Sequence, residues 1–513
     1  MRFPIPLLVL LASPLPAGDP LVGPAAGIAT ILEKDVEADV VFLADAALEG
    51  RDTPSAGLSL AAAYIEERLR AAGLTGAGKD GSFRMPFEVQ TRAPDAPACR
   101  LVDEGDQGRD FELGRDFVPV PEADGDASGE VVFLGFGIES HEDKYDDVRG
   151  ELKGRIALIV ESEPRHKRLF EGAETSPAAD LNRKLGTLRE AGAEGALVVR
   201  RPPPGEDAPP PLGFRHTWAH WREDKLPPAN PGRLPALEIT AALASELAGL
   251  DVLAAASKVD SSGKEPKRVE TGRTLSFSSR TLAKTEVMVD NVVGVLRGSD
   301  QALSAEYVVL GAHYDHLGVD ARGRIGFGAD DNASGTAALL EVAQALAAAG
   351  PSRSILVCAF AGEEDGLLGS HALCEDLPVP RESLVAMLNL DMVGRGATDG
   401  VAVLGLQENP KLDDLLDRAL KLQPTKVKKV LRREGQELFE RSDHYSFHRI
   451  GVPVLFFFEG LPIDDNADYH MWTDTPDLVD MEKVARTARL VFNCAWLLAT
   501  DAERPPSPKK GGK

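Results

Sequence analysis

Positive charge is scarce in this 513-residue sequence: 57 Lys and Arg stand against 81 Asp and Glu, for a formal net charge of −24. Such a balance has no surplus of cations for a phosphate backbone, which excludes nucleic acid as a partner, and it is repelled by an anionic lipid surface. Cysteine is scarce as well. Cys99, Cys358, Cys374 and Cys494 are widely spaced and form no CxxC pair. Four cysteines leave three disulfide connectivities open, yet Cys358 lies within SILVCAF, where a buried reduced thiol is expected. Cysteine therefore fixes no compartment. Long apolar runs are missing beyond the N-terminus, and no later stretch approaches the ~20 residues needed to span a bilayer.

The chain opens MRFPIPLLVLLASPLPAGDP: one Arg, a short apolar run from Phe3 to Ala12, then small and turn-forming residues up to Ala17. That layout predicts a signal peptide over residues 1–17 and an exported protein, secreted or periplasmic. The remaining composition, 43% apolar and 27% charged, is that of a soluble globular protein. The length predicts about two to three domains.

Residues 28–75 read as helices. AGLSLAAAYIEERLRAAGL repeats apolar residues at three and four and ends on Gly73. SFRMPFEVQTR then alternates as a strand, so residues 28–109 are placed with the main domain. From 110 to 265 short β-rich runs (SGEVVFLGFGI, GRIALIV, GALVVR) are separated by charged loops, which predicts an inserted β-rich domain. Its stretches RPPPGEDAPPPLG and LPPANPG predict a Pro-rich surface insertion. Between 280 and 500 strands and helices alternate. YVVL, ILVCAF and VLFFF are continuous apolar runs, as expected of strands buried on both faces. The prediction is an α/β domain of three layers, α/β/α, around a mixed, mostly parallel central sheet. Residues 501–513 are predicted to be a disordered tail.

Open α/β sheets bind ligands at the carboxyl ends of their strands. YVVLGA ends at His313-Tyr314-Asp315, ILVCAFAG at Glu363-Glu364 and LVAMLNL at Asp391. The loop GFGADDNASG carries Asp330 and Asp331, and the loop after VLFFFEG carries Tyr469-His470. Imidazole mixed with carboxylate suits zinc, whereas magnesium or calcium would be held by oxygen alone. Three carboxylates, two neutral imidazoles and a bridging hydroxide balance two Zn²⁺, a pair that makes hydroxide available near neutral pH.

The motifs GAHYDHLG, GADDNASG, FAGEEDGLLGS, NLDMVG and DYHMWTDTPD, in this order over about 280–500, resemble the co-catalytic dizinc aminopeptidases of the bacterial leucyl aminopeptidase type. That family also includes glutamate carboxypeptidase II and the transferrin receptor. The resemblance implies two Zn²⁺ per chain, peptide substrates with a free N-terminus, and metal ligands His313, Asp330, Glu364, Asp391 and His470. Asp330 is implied as the bridge, with His313 and Asp391 completing one shell and Glu364 and His470 the other. Glu363 is implied as the general base that takes a proton from water and passes it to the leaving amine, and Asp315 as the group orienting His313. A cis peptide between Asp330 and Asp331 is also implied. The runs VVFLGFGI, DVRGELKGRIALIV and LREAGAEGALVV resemble a protease-associated (PA) domain, which carries no catalytic residue.

Blander readings compete at several positions. Asp331 either shapes the site or caps the helix that follows, and His316 reads as packing behind the site. His444 is structural before it is a substrate contact. Tyr445 is a candidate donor to an oxyanion, whereas Tyr469 reads as packing. Glu459 and Asp464 read as a solvated loop, and the HTWAHW cluster at 216–221 as packing within the insertion. Alternatives to an aminopeptidase are a carboxypeptidase or dipeptidase, for which Arg395 and Arg441 are basic candidates, a non-catalytic receptor-like protein, and a glutaminyl-cyclase-like enzyme with one zinc.

Overall fold

The apolar runs sort into two sheets. The computed structural model describes residues 23–507 apart from 106–107, 122, 171–175, 203–207, 210, 213–217, 220–232, 321 and 461–465. The N-terminal run, Asp464, most of the Pro-rich stretch, and His216, His220 and Trp221 of HTWAHW lie outside the described residues.

The larger sheet is mixed. Its centre is four parallel strands in the order Ser354–Phe360, Tyr307–His313, Leu384–Leu390 and Val454–Phe458. Antiparallel partners flank it: Thr281–Leu296 and Arg84–Pro94 on one side, Gly400–Leu404 on the other. Every residue of the four central strands is buried, because helices cover both faces. Helices Glu33–Leu43, Ala56–Ala71, Gly335–Ala349 and Met481–Thr500 pack on the face presenting Val308, Leu310 and Val357. The opposite face presents Val309, Leu356 and Met387 to Leu373 and Phe447, which lie on helices Leu368–Glu375 and His444–Arg449. The predicted three layers are present.

The order of connections reverses beside the 307–313 strand: the chain goes from it to 354–360 on one side, then returns to 384–390 on the other. Loops leaving adjacent strands there turn in opposite directions and open a crevice at the strands' carboxyl ends. His313 and Asp391 stand on its two sides.

Among the described residues the second sheet has eight strands from Arg100–Asp103 to Val269–Ser279 and its own apolar clusters on both faces. It therefore begins before 110 and ends after 265. Strand Val269–Ser279 runs through Arg280 directly into Thr281–Leu296, so one ribbon belongs to both sheets. The C-terminal stretch is less free than its composition predicts, as far as it is described. Asp501 pairs with Arg418 at 2.6 Å, and Arg504 donates to the carbonyl of Leu384 at 2.6 Å. All four cysteines are free thiols. Among the described residues, no helix is long and apolar enough to cross a membrane.

Candidate metal centre and active site

His313 is the last residue of its strand and 1% exposed. Its Nε2 lies 3.2 Å from Asp391 Oδ1 and 3.4 Å from Asp331 Oδ1. Asp331 turns its other oxygen the opposite way: Oδ2 is 3.2 Å from His470 Nε2, which in turn lies 3.0 Å from Glu364 Oε2. Asp331 thus faces both halves of the cluster, one oxygen to each. Among the described residues, two groups of possible metal-holding side chains share it, His313–Asp331–Asp391 and His316–Asp331–Glu364.

Asp331, not Asp330, is therefore the aspartate shared by the two groups, which corrects the expectation from the sequence that Asp330 faces both. The Asp330 carboxylate turns into the protein, where Oδ1 accepts from the Gly394 N–H at 2.7 Å and from Ser334 Oγ at 3.0 Å. It faces Glu459, whose carboxyl is pushed up to about 10 by burial and by Asp330. The cis peptide likewise joins Asp331 and Asn332, one residue later than expected. The rotation has a visible cause. Asp474 accepts the backbone N–H groups of both Asp330 and Asp331, and Asn332 bonds Gly335 N, Met392 N and the Leu390 carbonyl. These bonds fix the loop so that only the second aspartate reaches the crevice.

Asp315 is fully buried, and its Oδ1 lies 3.6 Å from His313 Nδ1, longer than a hydrogen bond. Its closer contacts are with the next strand's loop: it accepts the N–H groups of Glu363 at 3.2 Å and Glu364 at 3.4 Å, and Thr53 Oγ1 at 3.3 Å. It holds the two glutamates as much as the histidine. Below it the buried Arg51 donates to the carbonyls of Tyr314 and Phe327 at 2.9 Å, bracing the strand end against the glycine-rich loop.

Glu363 lies on the wall of a cleft of about 290 Å³ with Asp331, Glu364, Asp391, Glu440, Arg441, Tyr469 and His470. Its Oε2 is 4.0 Å from His313 Nε2, so it stands beside the cluster without belonging to either group. Burial holds its carboxyl well above the usual carboxylate range. Asp331, although buried, is held well below that range by His313 and His470. Burial works against a charged His470, yet Asp331 and Glu364 raise it to about 10. Four carboxylates face two cleft imidazoles, leaving buried negative charge that cations would balance. The donor set fits zinc.

Tyr445 and His444 are not brought to the cleft. The Tyr445 ring stacks with His448, 6.2 Å between centroids, and meets Phe439 edge-on. The phenol at the cleft is Tyr469, stacked 3.9 Å over His470, its hydroxyl accepting from Arg441 at 3.0 Å. His444 is fully buried and stacks on Phe456, one of the apolar lining residues, so it shapes the wall from behind. Ser442 has no assigned role in the sequence reading; its hydroxyl donates to Asp391 Oδ2 at 2.7 Å. Asp474 lies inside the motif DYHMWTDTPD, but nothing in the sequence assigns it, Ser442 or Thr53 a partner.

Residues 291–495 match the model of peptidase family M28. This segment is a peptidase family M28 domain. A probable leucine aminopeptidase of Arthroderma otae is 33% identical over 202 residues, 38% of this chain and 55% of that one. A probable zinc metalloprotease of Pyrenophora teres f. teres is 42% identical over 239 residues, 43% of this chain and 50% of the other. The chain thus spans about half the length of these relatives. The solved structure of the aminopeptidase from Aneurinibacillus sp. strain AM-1 shares the fold over 95% of this chain and 99% of its own, at 19% identity and a TM-score of 0.58.

Proposed function

We propose that the chain is a zinc-dependent aminopeptidase holding two zinc ions. The observation that carries this reading is the division of Asp331, Oδ1 toward His313 and Oδ2 toward His470. His313, Asp331 and Asp391 would hold one ion; Asp331, Glu364 and His470 would hold the other. Such a pair polarises a carbonyl and makes water acidic enough to attack near neutral pH. Glu363 takes a proton from the attacking water as the C–O bond forms, and returns it to the amine as the C–N bond breaks. Glu440 supplies a countercharge for the substrate's ammonium, and Leu367, Met392, Leu438, Phe456 and Phe458 line the cleft for an apolar side chain. The leucine aminopeptidase and zinc metalloprotease relatives support the same reading.

Arg441 supports a second reading. It lines the cleft, and among the described residues its contacts are the hydroxyl and ring of Tyr469, with no carboxylate paired to it. A guanidinium so placed suits a substrate carboxylate, as a carboxypeptidase or dipeptidase requires. Hydrolysis of N-terminally free and N-blocked peptides, with and without chelator, separates the two. Chelator-sensitive cleavage of free peptides alone supports the aminopeptidase; cleavage of blocked peptides alone overturns it. The second sheet is assigned to a PA-like insertion without catalytic residues. Export is proposed from the Phe3–Ala12 run, and N-terminal sequencing of the mature protein tests it.

A further inference from the structure

The two terminal carboxylates of the cluster are built alike. Asp391 gives Oδ1 to His313 Nε2 at 3.2 Å, while its Oδ2 accepts from the buried Ser442 hydroxyl at 2.7 Å. Glu364 gives Oε2 to His470 Nε2 at 3.0 Å, while its Oε1 lies 2.8 Å from His316 Nδ1. On each, one oxygen faces the metal position and the other is held by a buried side chain. His316 is as deliberately seated as Ser442. It is 1% exposed, its N–H donates to the Arg51 carbonyl at 3.2 Å, and its ring lies against two glycines. A Cβ on Gly328 would come within 2.5 Å of its Cγ, and one on Gly326 within 3.3 Å of its Cδ2. Any larger residue at Gly328 would displace the ring.

We propose that His316 is a positioning residue that donates from Nδ1 to Glu364 Oε1 and so holds Glu364 to a single oxygen toward the second metal position. This rests on the two-zinc reading above. His316 is not itself a ligand: 2.8 Å is a hydrogen-bond length, and the two imidazoles take different oxygens of Glu364. Among the described residues the buried His316 Nε2 has no hydrogen-bond partner. A bare lone pair there is tolerated more readily than a bare N–H, which places the ring proton on Nδ1.

The test is zinc content and stepwise chelator competition on the full chain, with folding checked by circular dichroism. Wild type is expected to bind two zinc ions. His316→Leu, which fills the slot but cannot donate, should weaken the second binding step about 10–100-fold and leave the first within about twofold, the range seen when such supporting groups are removed. His316→Asn, which keeps a donor near the Nδ1 position, should restore most of that loss. Unchanged binding in His316→Leu overturns the proposal. So does an Asn variant as weak as the Leu variant with a shifted visible spectrum of the cobalt-substituted protein, which would make His316 a ligand. A wild-type chain that binds one zinc overturns the two-metal reading and this proposal with it, a result separate from any variant.

Discussion

Asp474 accepts the backbone N–H of Asp331 at 3.1 Å across 143 residues of sequence. That bond, with its twin to Asp330, decides which of two adjacent aspartates points into the crevice. Asp331→Asn should therefore leave less than one zinc per chain, because both halves of the cluster lose a charged donor. Asp330→Asn should keep the metal while lowering stability by about 1–3 kcal/mol, the cost of disturbing a buried bonded group. Metal analysis and thermal melting of the two variants check this.

Glu363 stands next to the cluster without joining either group. Glu363→Gln should keep the wild-type zinc content and lower kcat about 10²–10⁴-fold, the usual worth of a positioned base. Zinc analysis beside single-substrate kinetics reads both. Normal turnover in a folded, loaded variant would remove Glu363 from the mechanism.

The sequence showed that chemistry sits at strand ends because buried strands are written as unbroken apolar runs, and polar residues after such runs have few other reasons to be there. His313, Glu364, Asp391 and His470 were legible in this way, and the structure brings all four to one crevice. What was not legible was rotation. Asp330 and Asp331 are identical neighbours, and their orientation depends on Asp474 and on Asn332. Tyr445 was read toward the site for a like reason: one turn of helix 444–449 sets its direction, while Tyr469 reaches the cleft through its stack on His470. The boundary of the inserted block was misplaced because its last strand and the next strand of the main sheet are one continuous β ribbon with no break in texture.

His444 gives the fold a pH dependence. Burial lowers it to about 3, against an ordinary value of 6.5. The native state therefore stays unprotonated between those values while the unfolded chain takes up a proton. Stability from this residue is complete above pH 6.5 and falls by about 1.4 kcal/mol per unit below it. His444→Phe keeps an aromatic ring on Phe456 and cannot titrate. Urea unfolding at pH 7 and pH 5 should show a loss on acidification about 2 kcal/mol smaller in the variant than in wild type.

Gly335 opens the helix that follows the metal loop, and a methyl group there would lie 2.2 Å from Asn332 Oδ1 and 2.5 Å from the Leu390 carbonyl. Gly335→Ala should push Asn332 off its bonds to Gly335 and Met392, costing about 1–3 kcal/mol and weakening zinc binding without touching a ligand. Thermal melting and zinc titration together test this; tight binding with a normal melting temperature would show that the loop holds without Asn332.

The ribbon shared by the two sheets sets an order of assembly. Strand 84–94 leaves synthesis early, but its antiparallel partner 281–296 emerges only after the whole second sheet. The block from Arg100 to Ser279 has its own apolar clusters and mostly closes on itself, so it can condense while the N-terminal helices still wait for a surface to cover. Completing it delivers strand 281–296 to strand 84–94, turning a distant pairing into a nearby one and lowering the loop-closure cost that slows non-local sheets. Pairing of strand 100–103 with 275–278 thus holds the ends of strands 84–94 and 281–296 beside each other.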